Sequence, residues 1–131
     1  MISALLVLAQ ITPAAAEPKP VEASIAAIRA NPKRFDGQVV RVKGWVNRCD
    51  RLSCSIDERS ATSPNGGGEH LSIASDDKFD STIKPLLPTY VEFDARFDAR
   101  CVTAICTDRA PDLTVRQLRA VVSPEPPEIE K

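Results

Sequence analysis

The stretch Gly37–Cys49, GQVVRVKGWVNRC, has the pattern of a β-strand, and the rest of the predicted fold is built outward from it. Its side chains alternate between two faces. One face carries Val40, Val42, Gly44 and Val46, and the other carries Arg41, Lys43 and Trp45. A period of two indicates a strand with one buried face. Gly44 takes a place on that face, where a glycine marks a bulge, a sharp bend or a close backbone approach.

Two sequence patterns around this strand resemble a known family. The pattern V-x-V-x-G-W-V over Val40–Val46 resembles the opening strand of OB-fold domains, in particular the anticodon-binding type. The preceding I-x-x-I-x-x-N-P-x-x-F-D-G-Q, Ile25–Gln38, resembles the lead-in helix and turn of small exported bacterial OB-like proteins. The resemblance implies an all-β fold with minor helix: a five-stranded OB-like Greek-key barrel preceded by a short N-terminal helix. That helix is predicted over Val21–Ala30, with Ser24 as its N-cap.

Alternation and turn signals predict the remaining elements. The further strands are expected over Leu52–Asp57, His70–Ser75, Tyr90–Cys101 and Leu113–Val122. A short helix over Phe79–Leu87, capped by Asp76 or Asp77, stands where an OB-fold has the helix that plugs its barrel. The alternation of the last strand slips near Gln117–Leu118, which is typical of a β-bulge.

The strand Tyr90–Cys101 divides most clearly into an apolar and a charged face. Its charged residues, Asp94 among them, are expected to face water, where an ion pair contributes about 0–1 kcal/mol. Replacing Asp94 is therefore expected to cost little. The predicted core consists of Val40, Val42, Val46, Ile56, Leu71, Ile73, Val91, Phe93, Phe97 and Val115.

Both ends of the chain are predicted to lie outside the folded domain. The apolar run Ile2–Ile11 and the small residues Ala14-Ala15-Ala16 are typical of a signal peptide over residues 1–16. A buried N-terminal helix is the alternative. Residues 17–20 are predicted to be a flexible tail, 21–123 the OB-like barrel domain and 124–131 a disordered C-terminal tail. The apolar run is too short to span a bilayer, so we expect no membrane span and a periplasmic or secreted protein.

Composition weighs against nucleic acid as a partner. The chain has 17 basic and 18 acidic residues, a formal net charge of −1 and only 5% aromatic residues. A nucleic-acid-binding domain is expected to carry a basic face, and single-strand binders stack bases on aromatic side chains.

Four cysteines suit an oxidising compartment. Cys49 and Cys54 have the same spacing as Cys101 and Cys106, so two local disulfides are the favoured pairing, each worth roughly 2 kcal/mol in the chain-entropy model. Disulfides crossed between the two loops and a four-thiolate zinc site are the alternatives. In an OB layout the two loops flank the usual binding face, although they leave opposite ends of their strands.

A ligand-binding surface is predicted on the outer face of the first strand and its following loop. Tryptophan offers a stacking surface and the basic residues offer charge. The candidate binding residues are Trp45, Arg48, Arg51, Arg41 and Lys43.

The sequence offers no catalytic constellation, because the single histidine, His70, has no nucleophile or orienting acid that can be named. We therefore predict a non-enzymatic exported OB-fold binding module without metal or cofactor. Its ligand is expected to be a partner protein, a glycan of the cell envelope or a small molecule. A structural or stress-related envelope protein is the alternative, followed by a single-stranded nucleic-acid binder.

Overall fold

The computed structural model describes residues 19–50, 54–106 and 110–122. The predicted signal peptide, the first part of the predicted N-terminal tail, the predicted C-terminal tail and the candidate residue Arg51 lie outside these ranges.

Strands and short helices alternate along the described chain. In chain order they are β1 (Val21–Glu22), α1 (Ile25–Ala30), α2 (Pro32–Phe35), β2 (Val39–Val46), β3 (Ser55–Asp57), β4 (His70–Ala74), α3 (Asp77–Ile83), β5 (Thr89–Phe97), α4 (Arg100–Thr103) and β6 (Leu113–Val122). A 3-10 helix, Lys84–Leu86, directly follows α3. The predicted fourth strand is therefore shorter in the structure, and Cys101 lies in α4 and not at a strand end. The first two residues of the predicted second strand lie outside the described ranges.

The strands close into a barrel. β2 pairs with β3 and β5, β3 with β4, β4 with β6, and β6 with β5, so the circuit returns to β2. The β4–β6 pairing is parallel and the other four are antiparallel. With α3 between the third and fourth strands of the circuit, this is the five-stranded OB-like Greek-key barrel that the sequence predicts. β1 lies outside the circuit and pairs in parallel with the start of β2.

β2 is the strand on which the barrel closes, and its burial follows the predicted alternation. Val40, Val42 and Val46 are fully buried, and Gly44 is buried between them. A Cβ at Gly44 would lie 2.7 Å from both the Asp57 carbonyl oxygen and Ile56 Cγ1. The glycine therefore permits a close approach of β3 to β2, which is one of the reasons expected for a glycine inside a strand.

The barrel interior is filled by the predicted core together with side chains from the helices. Nine of the predicted core residues are buried, whereas Val115 is only partly buried and packs against the cluster. α3 contributes Phe79 and Ile83, and the Phe79 ring packs edge-to-face on Phe93 with a centroid separation of 5.7 Å. α3 therefore supplies the plug expected between β4 and β5. Its N-cap is Asp76, whose Oδ1 accepts a hydrogen bond from Phe79 N at 2.7 Å.

The N-terminal segment differs from the prediction at its first residues. Ser24 caps α1, and its Oγ accepts a hydrogen bond from Ala27 N at 3.0 Å. Val21 and Glu22, which the prediction placed inside this helix, instead pair with Val40 and Arg41 as a short strand. The cap explains the difference, since Ser24 begins the helix and leaves the residues before it extended.

Asp94 is the residue whose exposure differs most from the prediction for the charged face of β5. It lies on the outer face of β5, yet only 5% of it is exposed, because Arg41 and Arg119 cover it. Arg41 donates to both carboxylate oxygens, at 2.9 and 3.3 Å, and this hydrogen bonding raises the pKa of Arg41 above its ordinary value. The expectation that Asp94 faces water was therefore wrong. A charged outer face was predicted correctly, but alternation alone does not reveal that long arginine side chains cover a short carboxylate.

β6 contains two register shifts against β5. Between Glu92 and Phe93, and again between Asp94 and Ala95, the partner strand advances by one extra residue. The extra residues are Arg119 and Arg116. The slip predicted near Gln117–Leu118 thus corresponds to two bulges that flank this dipeptide.

We expect Gly44→Ala to lower the free energy of unfolding by roughly 1–3 kcal/mol, because the new methyl group would overpack the β2–β3 contact. Gly67→Ala is the matched control, since a Cβ there would meet its nearest atom at 3.4 Å, an ordinary contact distance. Urea denaturation of both variants measures the difference. Equal stabilities would show that the β2–β3 approach does not require a glycine.

We expect Asp94→Ala to destabilise the barrel clearly more than Asp98→Ala. The first change removes the acceptor of Arg41 from a covered site, whereas the Asp98 side chain is 40% exposed. Thermal denaturation of the two variants compares them. Equal losses would indicate that Asp94 is no more important than a surface acid.

Candidate functional site: the groove between two disulfide loops

A groove of about 800 Å³ lies between two loops of the described structure. One wall is the β2–β3 loop, represented by Asp50 and Cys54. The opposite wall is the β5–β6 loop, which contributes Cys101, Ile105 and Cys106. Both disulfide loops therefore line one groove, as the OB layout predicts. The two loops leave opposite ends of their strands, yet both line the same face of the barrel.

The floor of the groove is the outer face of β3 and β4. Because strand residues alternate, Leu71 and Ile73 point into the core while His70, Ser72 and Ala74 point outward. Ser55 lies opposite Ser72 in the β3–β4 pair and adds a second hydroxyl to the floor. The floor is thus polar and made of small side chains.

Asp112 fixes the end of the β5–β6 loop onto this floor. Ser72 N donates to Asp112 Oδ2 at 2.9 Å, and Asp112 N donates to Ser72 Oγ at 2.8 Å. This reciprocal pair stands directly before the parallel pairing of Ile73 with Leu113. The Asp112 carboxylate is consequently committed to holding the groove together.

The β2–β3 loop is held closed by a disulfide that belongs to the core. Cys49 and Cys54 form a disulfide with a Cα–Cα distance of 4.0 Å, and they also form an antiparallel bridge. Both are buried, with exposures of 5% and 8%. Asn47 Nδ2 donates to Asp57 Oδ2 at 2.8 Å just beside the loop. The loop is therefore tied both to the core and to β3.

The β5–β6 loop is held by its own disulfide and by hydrogen bonds at its base. Cys101 and Cys106 are bonded, and Asp98 N donates to the Asp112 carbonyl at 2.9 Å. The Arg100 backbone amide and guanidinium both donate to Asp98, which lowers the pKa of its carboxyl group. Asp98 thus stays ionised at neutral pH, and this support of the loop is lost only as the pH falls through the lowered pKa.

Ile105 is fully exposed at the tip of this loop. It lies between the two cysteines of the second disulfide and lines the groove. Ile105 was not among the predicted site residues, and its neighbour Val102 in the same disulfide-closed loop packs against the core, so an apolar residue in this loop was not by itself a signal. The structure therefore adds an apolar residue to the candidate site.

The groove is acidic along its described lining. Asp50, Asp80 and Asp112 line it, whereas no lysine, arginine, phenylalanine, tyrosine or tryptophan does so within the described part of the chain. Such a lining offers carboxylates, hydroxyls and the imidazole of His70, but no guanidinium or ammonium group for a phosphate.

The four predicted binding residues within the described ranges, Trp45, Arg48, Arg41 and Lys43, do not line the groove. Trp45 is half-buried and packs edge-to-face on Tyr90 at a centroid separation of 5.9 Å. Trp45 pairs with Asp57 across β2 and β3, and Asp57 pairs with His70 across β3 and β4. The tryptophan is therefore two strands away from His70 in the same cross-strand row.

The basic candidates are distributed over different environments. Arg41 is engaged with Asp94, and Lys43 Nζ lies 3.4 Å from Glu92. Arg48 is exposed at the end of β2 and forms no ion pair with any other described residue. Arg41 and Lys43 are thus brought together with Trp45 on the β2–β5 outer face, whereas Arg48 lies beyond the end of the strand.

All four cysteines are in disulfides, in the two local pairs that were favoured from their spacing. The crossed pairing and the four-thiolate zinc site are therefore not what the structure holds. Within the described ranges no three histidine, cysteine, aspartate or glutamate side chains are grouped so that they could hold a metal ion.

Comparison with protein-family models, with curated proteins and with solved structures finds no match for this chain. No helix within the described residues has the length and apolar character needed to cross a membrane. The chain is therefore classified by its own fold, a disulfide-bonded OB-like barrel with a groove between its two disulfide loops.

We expect removal of Cys49–Cys54 to destabilise the protein more than removal of Cys101–Cys106. The two loops have the same sequence separation of 5, so the chain-entropy loss is roughly 2 kcal/mol for each. Only the first pair also loses packing in the core. Urea denaturation of Cys49→Ala/Cys54→Ala and Cys101→Ala/Cys106→Ala compares them, and a larger loss from the second variant would contradict this assignment.

Proposed function

We propose that this protein is an exported, non-enzymatic binding module whose groove between the disulfide loops docks a partner protein. The observation that carries the proposal is Ile105, a fully exposed isoleucine on a loop pinned at the lip of the groove. The predicted alternatives of an envelope glycan, a small ligand or a purely structural envelope role are outcomes of the test below.

The setting of Ile105 is that of an interface anchor. An exposed large apolar residue lowers the solubility of a free protein and gains free energy when a partner covers it. The disulfide and the hydrogen bonds at the base of the loop restrict it before binding, so less ordering entropy is lost on association. Both features favour recognition of a partner with an apolar pocket for this side chain.

The lining of the groove favours protein over the other ligand classes. Its carboxylates would repel the phosphates of a nucleic acid or the acidic groups of an anionic glycan. Its described lining has no phenylalanine, tyrosine or tryptophan, so His70 is the one ring there on which a base or a sugar could stack. A protein surface with basic side chains around an apolar pocket is complementary to Asp50, Asp80 and Ile105.

Export is part of the proposal. Two disulfides fit an oxidising extracellular compartment. The predicted signal peptide supports the periplasm or the exterior of the cell as the place where the module acts. The resemblance to small exported bacterial OB proteins supports the position of the groove, whereas its anticodon-binding subtype would imply a tRNA partner that an exported protein does not meet.

Site-specific photo-crosslinking tests the proposal. The full chain carries a photoreactive phenylalanine derivative at position 105 or, as the matched control, in place of Leu86, which is also apolar and 49% exposed. We expect a defined adduct from position 105 in intact cells and none from position 86. The adduct partner is then purified and titrated calorimetrically. Ile105→Ser should weaken its binding roughly tenfold or more, as for an interface hot spot.

The outcomes against the proposal are also defined. Equal adducts from both positions would indicate non-specific contact between exposed apolar residues. Unchanged affinity of the purified partner for Ile105→Ser would exclude the groove lip as its docking site. Absence of an adduct in cells that export the protein would favour the structural role.

A further inference from the structure

We infer that the outer face of β5 and β6 carries an anion site for a phosphate group, separate from the acidic groove. The site is a cleft of about 310 Å³ whose charged lining consists of Arg41, Asp94, Arg116 and Arg119. We call it the arginine cleft. The net charge of its lining is positive, opposite to that of the groove, and it shares no residue with the groove.

The two bulges of β6 build this cleft. In a regular strand neighbouring residues point to opposite faces, so Arg116 and Gln117 could not both line one cleft. Each bulge inserts one residue opposite β5, and the inserted residues are Arg116 and Arg119. As a result Arg116, Gln117 and Arg119 all line the same cleft. Bulges commonly re-aim a side chain in this way.

The charges of the cleft do not cancel. Three guanidinium groups line it against the single carboxylate of Asp94. Arg41 holds Asp94 closely at 2.9 Å, whereas Arg119 is divided between Glu92 at 3.4 Å and Asp94 at 3.6 Å. Arg116 is exposed and forms no ion pair with any other residue in the described ranges. Arg116 and Arg119 therefore retain donors for an external anion.

The donor set indicates a phosphate group as the ligand class. A guanidinium presents five N–H donors in a planar fork that matches phosphate oxygens, and two such forks from adjacent positions suit a tetrahedral anion better than a single carboxylate plane. The Gln117 amide lines the cleft as a further neutral donor. Asp94 keeps Arg41 in place beneath the site without neutralising Arg116.

NMR titration of the oxidised full chain tests the inference. Inorganic phosphate is added at constant ionic strength, and the Nε–Hε signals of Arg116 and Arg119 are followed. In a second arm the protein is sedimented with phosphatidylglycerol vesicles or with neutral phosphatidylcholine vesicles. Saturable shifts with free phosphate indicate a soluble ligand. Selective sedimentation with phosphatidylglycerol that depends on the same arginines indicates a lipid headgroup.

Variants make the result decisive. Arg116→Gln/Arg119→Gln should weaken binding in the responding arm about tenfold or more, since it removes two charge-assisted donors. Arg48→Gln/Lys84→Gln removes the same charge elsewhere and should change the affinity less than about twofold, as expected for a screened distant charge. Arg116→Gln alone, at an exposed position, keeps the test valid if the double variant fails to fold. Equal weakening by both double variants, or no response in either arm, would overturn the inference.

Discussion

The structure depends on the pairing of β2 along both of its edges. Val39–Val46 is paired over its whole length with β5, and at Trp45 the same strand also pairs with β3. A strand that serves two neighbours in a small barrel must curve, and its neighbours must approach it closely. Gly44 meets that requirement, since any side chain there would collide with the Asp57 carbonyl and with Ile56. One residue without a side chain thus lets the barrel close over its core.

The strands β3, β4 and β6 on the other side of the barrel pair with one another over only a few residues. β3 has only the residues Ser55–Asp57, and β4 meets β6 over the two pairs Ile73–Leu113 and Ala74–Thr114. The Ser72–Asp112 hydrogen bonds and the Cys49–Cys54 disulfide strengthen this side where the strand ladder is short. The groove lies over this part of the barrel. The covalent and side-chain links that stabilise a weak seam therefore also give the groove its fixed walls.

Sequence patterns predict the structural features that follow from the alternation of side chains along a strand and from the spacing of cysteines. The alternation of β2 and β5 predicts six buried core residues, Val40, Val42, Val46, Val91, Phe93 and Phe97, and the equal cysteine spacing favours the two local disulfides. The patterns do not predict features that depend on residues distant in the sequence but close in space. Asp94 is covered because Arg119 comes from another strand, and the groove gathers residues from β3, β4 and two loops. The packing of Trp45 on Tyr90 is likewise a contact between two strands that no local pattern contains.

The formal net charge of −1 conceals a separation of charge between two faces. The described lining of the groove has aspartates and no lysine or arginine, whereas the arginine cleft has three arginines and one aspartate. Sequence composition therefore argues correctly against a uniformly basic protein but says nothing about a local basic face. The register of β6 contributes to that face, because two single-residue bulges fall at Arg116 and Arg119, and both residues line the cleft beside Asp94. The two linings share no residue, and at physiological salt charges farther apart than about 8 Å are largely screened from each other.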